Sequence, residues 1–255
     1  MTTRTALIAV AVALLAAAGC ADDAPKPAAA DAPTFADCPS LAEGARPLYF
    51  TDPTGTRLAG VVRGSGATGV VLSHMSDGDA CSWDPYARQL AAGGYRVLVL
   101  QFQAYGESDG AAAGGDLADN VVGAAGALRA QGARDVVLIG ASMGGAASLA
   151  AATELTPPPA GVISMSAPTV YPAANAIGAV PRLTAPVLYL VGDTDGAFAA
   201  NARELYAATP ATTARQFVVV PSSTHGIHLM GQPGATGEKV TSSMAAFLAR
   251  HAPPG

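Results

Sequence analysis

Apolar residues along this chain fall into short runs separated by turn-forming residues, and the runs alternate with longer Ala-rich stretches. Leu48-Tyr49-Phe50-Thr51 and Arg57-Leu58-Ala59-Gly60-Val61-Val62 flank Asp52-Pro53-Thr54-Gly55, which predicts a β-hairpin. Residues 69–73, 95–102, 135–139, 161–166, 186–191 and 216–220 are rich in Val, Ile and Leu and too short for helices, so they read as buried strands. Residues 83–92, 117–131, 197–208 and 237–250, and the Ala-rich stretch after residue 143, read as helices; the first is closed by Gly93-Gly94. A hairpin followed by alternating strands and helices predicts an α/β architecture. Its sheet should be mostly parallel, of about eight strands, with helices on both faces.

One stretch organises the rest. The run Val136-Val137-Leu138-Ile139 enters Gly140-Ala141-Ser142-Met143-Gly144 and leaves as the Ala-rich helix. Small residues two before and two after Ser142 permit a sharp strand-to-helix turn, where larger side chains would collide with neighbouring backbone. Such a turn lifts the Ser142 hydroxyl to the top of the sheet, over free N–H groups at a helix start. That is the physical content of a G-x-S-x-G nucleophile turn. With 29 glycines and 14 serines in the chain the pattern alone carries little, so its weight comes from the strand before it and the helix after it.

Half of the 255 residues are apolar and the net charge is −5, enough apolar chain for one sizeable core and no basic patch for nucleic acid. The start reads as a targeting segment, with Arg4 followed by an apolar run over 6–18 that is short for a membrane span. It ends Leu15-Ala16-Ala17-Ala18-Gly19-Cys20, which resembles a bacterial lipobox. Residues 1–19 are then a signal peptide and Cys20 the lipidated mature N-terminus, giving an exported, outward-facing membrane lipoprotein. The alternative is a signal cut near Ala18 and full secretion. Residues 20–46 contain an Ala-, Asp- and Pro-rich tether, and residues 47–255 the globular domain. Removing Cys20 leaves Cys38 and Cys81; in an exported domain these point to one disulfide, the alternative being two free thiols. The cysteines and histidines show no metal-ligand spacing, and no phosphate-cradling loop or other cofactor motif is present.

With these motifs in place, residues 47–251 resemble the α/β-hydrolase superfamily. Ser73-His74-Met75 is similar to the family's strand-three turn, with methionine where glycine is usual. Residues 102–108, Phe102-Gln103-Ala104-Tyr105-Gly106-Glu107-Ser108, are similar to the Gly-rich turn after the next strand, with Gln103 and Ala104 replacing the usual Asp and Arg. Gly192-Asp193-Thr194-Asp195 resembles the acid loop and His225-Gly226 the histidine loop. The layout is closest to small esterases and dienelactone-hydrolase-like members. Dienelactone hydrolases proper use cysteine as nucleophile, whereas this chain carries serine.

A serine hydroxyl needs a base to take its proton, and histidine, with an unperturbed pKa of about 6.5, suits that task. A carboxylate must then hold the imidazole tautomer. Ser142, Asp195 and His225 follow in the order Ser, Asp, His that the superfamily uses. The resemblance places the acid three residues after Gly192, at Asp195, and leaves Asp193 as a turn former. His225 sits in a polar loop before Gly226, while His228 begins an apolar step and reads as structural; His74, at a strand end, reads as a packing or turn residue. The resemblance also implies an oxyanion hole from the Met143 and Met75 N–H groups. The interval 167–185 is too short and Pro-rich for a large cap, so the cap is minimal or absent. The open site should be walled by Met75, the 77–83 loop with Trp83, Tyr105 and Tyr171. The expected function is a serine esterase acting through an acyl-enzyme on a small or exposed ester. Its rivals are an acyltransferase or peptidase on the same fold and a non-catalytic binding lipoprotein.

Overall fold

A computed structural model describes residues 32–111 and 114–255. The expected signal peptide and Cys20 lie outside the described residues. The hairpin forms as β1 (Arg46–Thr51) and β2 (Arg57–Arg63), followed by β3 (Thr68–Ser73), β4 (Arg96–Leu100), β5 (Asp135–Ala141), β6 (Gly161–Met165), β7 (Val187–Gly192) and β8 (Arg215–Val220). They make one eight-stranded sheet in the order β1-β2-β4-β3-β5-β6-β7-β8. The pairs β1–β2 and β2–β4 are antiparallel and the rest are parallel.

The central strands are apolar on both sides because each side has its own helical layer. Val70 and Leu72 of β3, with Val137 and Ile139 of β5, pack among Trp83, Leu90 and Phe247. These last come from the turn 80–83, α2 (Asp84–Ala92) and α7 (Ala235–His251); a single turn at Pro39–Ala42 is α1. Val71 and Leu138, one residue on, face Val121, Ala147 and Leu205. Those belong to α3 (Leu117–Ala130), α4 (Met143–Ala151) and α6 (Phe198–Ala208). The chain runs from β3 outward to β4, then back past β3 to β5. The connections that follow the neighbouring strands β3 and β5 therefore run in opposite directions, to β4 and to β6, and ligands of open α/β sheets bind at such switch points, outside the C-terminal ends of the strands.

The segment 167–185 carries only α5 (Ala176–Ala179) and one 3₁₀ turn, Val180–Arg182. Its prolines and brevity leave no cap domain, as the spacing predicts. No helix among the described residues is long and apolar enough to cross a membrane.

The N-terminal segment departs from the expected tether. Residues 32–46 belong to the same compact unit as the sheet. Phe35 is 2% exposed and Leu41 is fully buried. The Glu107 carboxylate accepts hydrogen bonds from the Thr34 N–H (2.8 Å), the Phe35 N–H (2.5 Å) and the Thr34 hydroxyl (3.0 Å). The buried Arg63 guanidinium donates to the carbonyls of Leu41 and Glu43, both at 2.7 Å, while paired with Asp84 at 3.0 Å. Cys38 and Cys81 are joined by a disulfide. Composition misassigns this strap because its anchors are single residues answered by partners far along the chain, not an apolar stripe.

A disulfide stabilises chiefly by closing a loop in the unfolded chain. With a sequence separation of 43 between the cysteines, the chain-entropy model gives roughly 4 kcal/mol. The double variant Cys38→Ser with Cys81→Ser should lose stability of that order in urea denaturation and exchange amide hydrogens faster over 34–45, with the central strands still protected. Unchanged exchange in the strap would contradict this account.

Candidate active site

The strand β5 delivers Ser142 at φ 50°, ψ −119°, a positive-φ conformation that L-residues rarely hold. The glycines around it are demanded by contact. A Cβ on Gly144 would overlap the Ser73 carbonyl oxygen and come within 2.6 Å of the His74 one, and a Cβ on Gly140 would overlap the Gly144 carbonyl. The start of α4 thus lies directly against the end of β3. The Ser142 N–H donates to the Met165 carbonyl at 2.8 Å, tying the turn to β6. Ser142 is 7% exposed, recessed but reachable.

The loop after β7 places Asp195 and the loop after β8 places His225. His225 Nδ1 lies 3.0 and 3.1 Å from the two Asp195 carboxylate oxygens. Asp193, two residues earlier, does different work: its carboxylate accepts the Ser222 N–H at 2.9 Å and braces the two loops against each other. Gly226 positions the histidine against the nucleophile turn. It has φ 56°, and a Cβ there would overlap the Met75 sulfur and stand 3.5 Å from the Ala141 Cβ. Its N–H donates to the Ser166 hydroxyl at 3.0 Å. The Ser142 hydroxyl makes no hydrogen bond to His225 among the described residues; such contacts commonly tighten only when substrate is bound. His228 is exposed in the turn Gly226–Gly231; its N–H donates to the His225 carbonyl at 3.3 Å, and its imidazole makes no hydrogen bond to Ser142 or His225 among the described residues.

Met75 and Met143 are both buried. Neither N–H donates to an acceptor among the described residues. Two unpaired backbone donors, one on each side of the nucleophile turn, are the raw material of an oxyanion hole. Behind them sits His74, fully buried. Its Nε2 accepts the Phe102 N–H at 3.1 Å, which assigns the ring proton to Nδ1, and Nδ1 then donates to the Met75 carbonyl at 2.8 Å. The rings of Phe102 and Tyr105 meet it edge-on, with centroids 5.0 and 4.7 Å away. Burial lowers its pKa to about 4, against smaller raising effects of the Met75 carbonyl and the Asp79 charge.

Among the expected wall residues, Tyr105 donates to the Ser76 carbonyl at 3.1 Å and reaches the Met143 sulfur at 3.8 Å. Tyr171 sits half-buried in the short capping segment. Trp83 is not a wall: it is fully buried and fills the core under α2, because the 3₁₀ turn Ala80–Trp83 directs it inward. Two further residues emerge only in three dimensions. Phe198, at the start of α6, stacks on His225 with centroids 4.1 Å apart. Ser166, at φ 49°, accepts the Gly226 N–H and so holds the histidine loop. Only the proximity of residue 198 to the acid loop hints at the first in the sequence, and nothing hints at the second. No group of three or more possible metal ligands occurs among the described residues.

A sequence model of the alpha/beta hydrolase family matches residues 61–235, which is most of the chain. Among solved structures, an esterase from Pyrococcus furiosus superposes with a TM-score of 0.70 at 16% identity, covering 81% of this chain and 90% of its own. A thermophilic esterase from Thermogutta terrifontis gives 0.64 at 21% identity, with coverage of 81% and 100%. The enol-lactonase of Burkholderia xenovorans gives 0.66 at 18% identity, with coverage of 79% and 99%. No match was found among curated protein sequences.

His74 makes a pH prediction. Unfolded, this histidine binds its proton near pH 6.5; folded, it binds only near pH 4. Between those values the unfolded state holds the extra proton, so stability falls as pH drops through that window, with a slope approaching about 1.4 kcal/mol per pH unit. Urea midpoints measured from pH 7 to pH 4 should show this, and His74→Gln should flatten the slope by up to one proton.

Proposed function

Because the chain belongs to the alpha/beta hydrolase family, we propose that it is a serine hydrolase of carboxylic esters, with Ser142 as nucleophile, His225 as base and Asp195 as the acid that orients it. The observation that carries this reading is the Asp195–His225 pair, held by Gly226 against the strained Ser142 turn at the switch point of the sheet.

The mechanism follows from the geometry. Ser142 Oγ attacks the ester carbonyl while His225 Nε2 takes its proton. Asp195 fixes Nδ1–H toward itself and stabilises the imidazolium that forms. Negative charge developing on the carbonyl oxygen meets the Met75 and Met143 N–H groups, which are already free of other acceptors and so need little reorganisation. His225 then protonates the departing alcohol oxygen, leaving an acyl-enzyme on Ser142. Water, deprotonated by the same histidine, releases the carboxylate. Phe198 covers one face of His225 and restricts the imidazole to the plane Asp195 sets.

The same reading places the enzyme outside the cytoplasm, anchored through lipidated Cys20. The disulfide supports the oxidising compartment, since such bonds persist there. The short segment 167–185 supports substrates with small acyl groups: it cannot close a water-excluding lid over a long chain.

Ser142→Ala should abolish covalent labelling by a fluorophosphonate. His225→Ala and Asp195→Asn should each cut kcat by several orders of magnitude, as loss of a triad member does. Asp193→Asn should cost far less; the reverse ranking would move the acid to Asp193.

Acetyl to butyryl esters should be cleaved faster than long-chain ones, with no jump in rate above the substrate's micellar concentration. Activation at an emulsion interface would contradict the lidless site.

A further inference from the structure

A groove of about 610 Å³ opens between the start of α2 and the turn that follows His225. Its size lies within the range of small-molecule sites, about 300–1,000 Å³. A second cavity of about 280 Å³ shares Tyr86, Gln89 and Thr241 with it, so the groove continues along the seam between α2 and α7. No Asp, Glu, Lys or Arg lines either part.

The lining has a consistent chemistry. Pro85, the Tyr86 ring and Ile227 supply apolar surface. The Tyr86 hydroxyl, the Gln89 and Gln232 amides and the His228 imidazole make no hydrogen bond among the described residues. Tyr86 is 9% exposed, and burial pushes the pKa of its hydroxyl up, so it stays a donor. The ring is set deep while the hydroxyl reaches the groove without a protein partner, free to meet a ligand.

The groove also adjoins the loops that carry the candidate site. It is framed by the loop that follows Met75, since Gly78 lies between Met75 and Ser82, and by Ile227 and His228, two and three residues after His225. In the mechanism proposed above His225 protonates the leaving oxygen, so a groove beside its loop is placed to receive the alcohol half of the ester.

We infer that this groove is the alcohol subsite, and that it takes a neutral polyhydroxylated alcohol, an oligosaccharide in particular, whose acyl ester Ser142 cleaves. This rests on the hydrolase reading above. The apolar faces of sugar rings fit Tyr86, Pro85 and Ile227, and their hydroxyls answer the unpaired amides and phenol. An acyl chain in the same groove would bury those polar groups without partners, which leaves their desolvation uncompensated. A charged alcohol would find no counter-charge. The overall reaction balances as ester plus water giving carboxylic acid, which releases its proton to solvent, plus free sugar hydroxyl, with the leaving oxygen taking its proton from His225.

The test compares kcat/KM for an O-acetylated glucose trisaccharide with kcat/KM for p-nitrophenyl acetate, using the full chain. The ratio should fall about tenfold in Tyr86→Phe, whose side chain is deeply set, and by less in Gln89→Ala, whose side chain is exposed, in both cases mainly through KM for the sugar ester. A separate calorimetric titration of the same acetylated trisaccharide into Ser142→Ala should show binding that Tyr86→Phe weakens by a similar factor. An unchanged ratio together with unchanged binding would overturn the assignment. So would a kcat/KM for p-nitrophenyl esters that rises with acyl length and is cut by Tyr86→Phe, which would put an acyl chain in the groove. Failure of every ester to turn over, with trisaccharide binding intact, would sink the hydrolase reading and leave the groove standing.

Discussion

The close approach of two backbones, the start of α4 against the end of β3, sets the terms for the rest of the molecule. It is possible only because Gly144 has no side chain to meet the Ser73 and His74 carbonyls, and Gly140 none to meet Gly144. Once the helix starts that close, the chain must reverse within a residue, and Ser142 takes up the positive φ. The strain of such a residue, of order 1–3 kcal/mol, persists because the contacts on both sides over-determine it. The same approach brings the first free N–H of α4 beside the loop that carries Met75, so the proposed nucleophile and oxyanion donors arise from one packing event.

In the proposed mechanism those donors act on charge, which makes the neutrality of His74 consequential. A protonated imidazole in its place would carry a buried positive charge with no carboxylate in contact with it. Burial among Phe102, Tyr105 and the sheet suppresses that state, and the neutral ring still satisfies both of its neighbours, the Phe102 N–H and the Met75 carbonyl. Fixing the Met75 carbonyl fixes the loop that presents the Met75 N–H. A cation there would add its own field but would lose several kcal/mol to desolvation; a neutral hydrogen-bonding ring holds the geometry without that loss.

The strands are legible in the sequence because β3 to β7 are buried on both faces, so their apolar runs are uninterrupted and easily bounded. The Ser, Asp, His order is legible because each residue follows a strand and lies beside or near a glycine. What escapes is everything that depends on long-range partners. Trp83 reads as a wall because its loop follows the oxyanion turn; the 3₁₀ turn that faces it inward has no strong local signature. Phe198 lies three residues after Asp195, at the start of α6, yet the ring it meets belongs to His225 on the far loop. The strap reads as linker because a lone Phe35 and a lone Cys38 do not make an amphipathic pattern.

The strap orders the loops beside the candidate site. Its contacts converge on two irregular loops, the one containing Cys81 and the turn containing Glu107, and both lie beside the site: Ser82 follows Cys81, and Tyr105 precedes Glu107 by two residues. Ordering such loops costs backbone entropy of about 1–2 kcal/mol per residue, which neither loop recovers from its own few apolar side chains. The disulfide, the Glu107 contacts and buried Phe35 supply that order from outside. They also take up chain that composition assigns to the tether. The segment that composition assigns to a linker is thus the one that holds these loops in place.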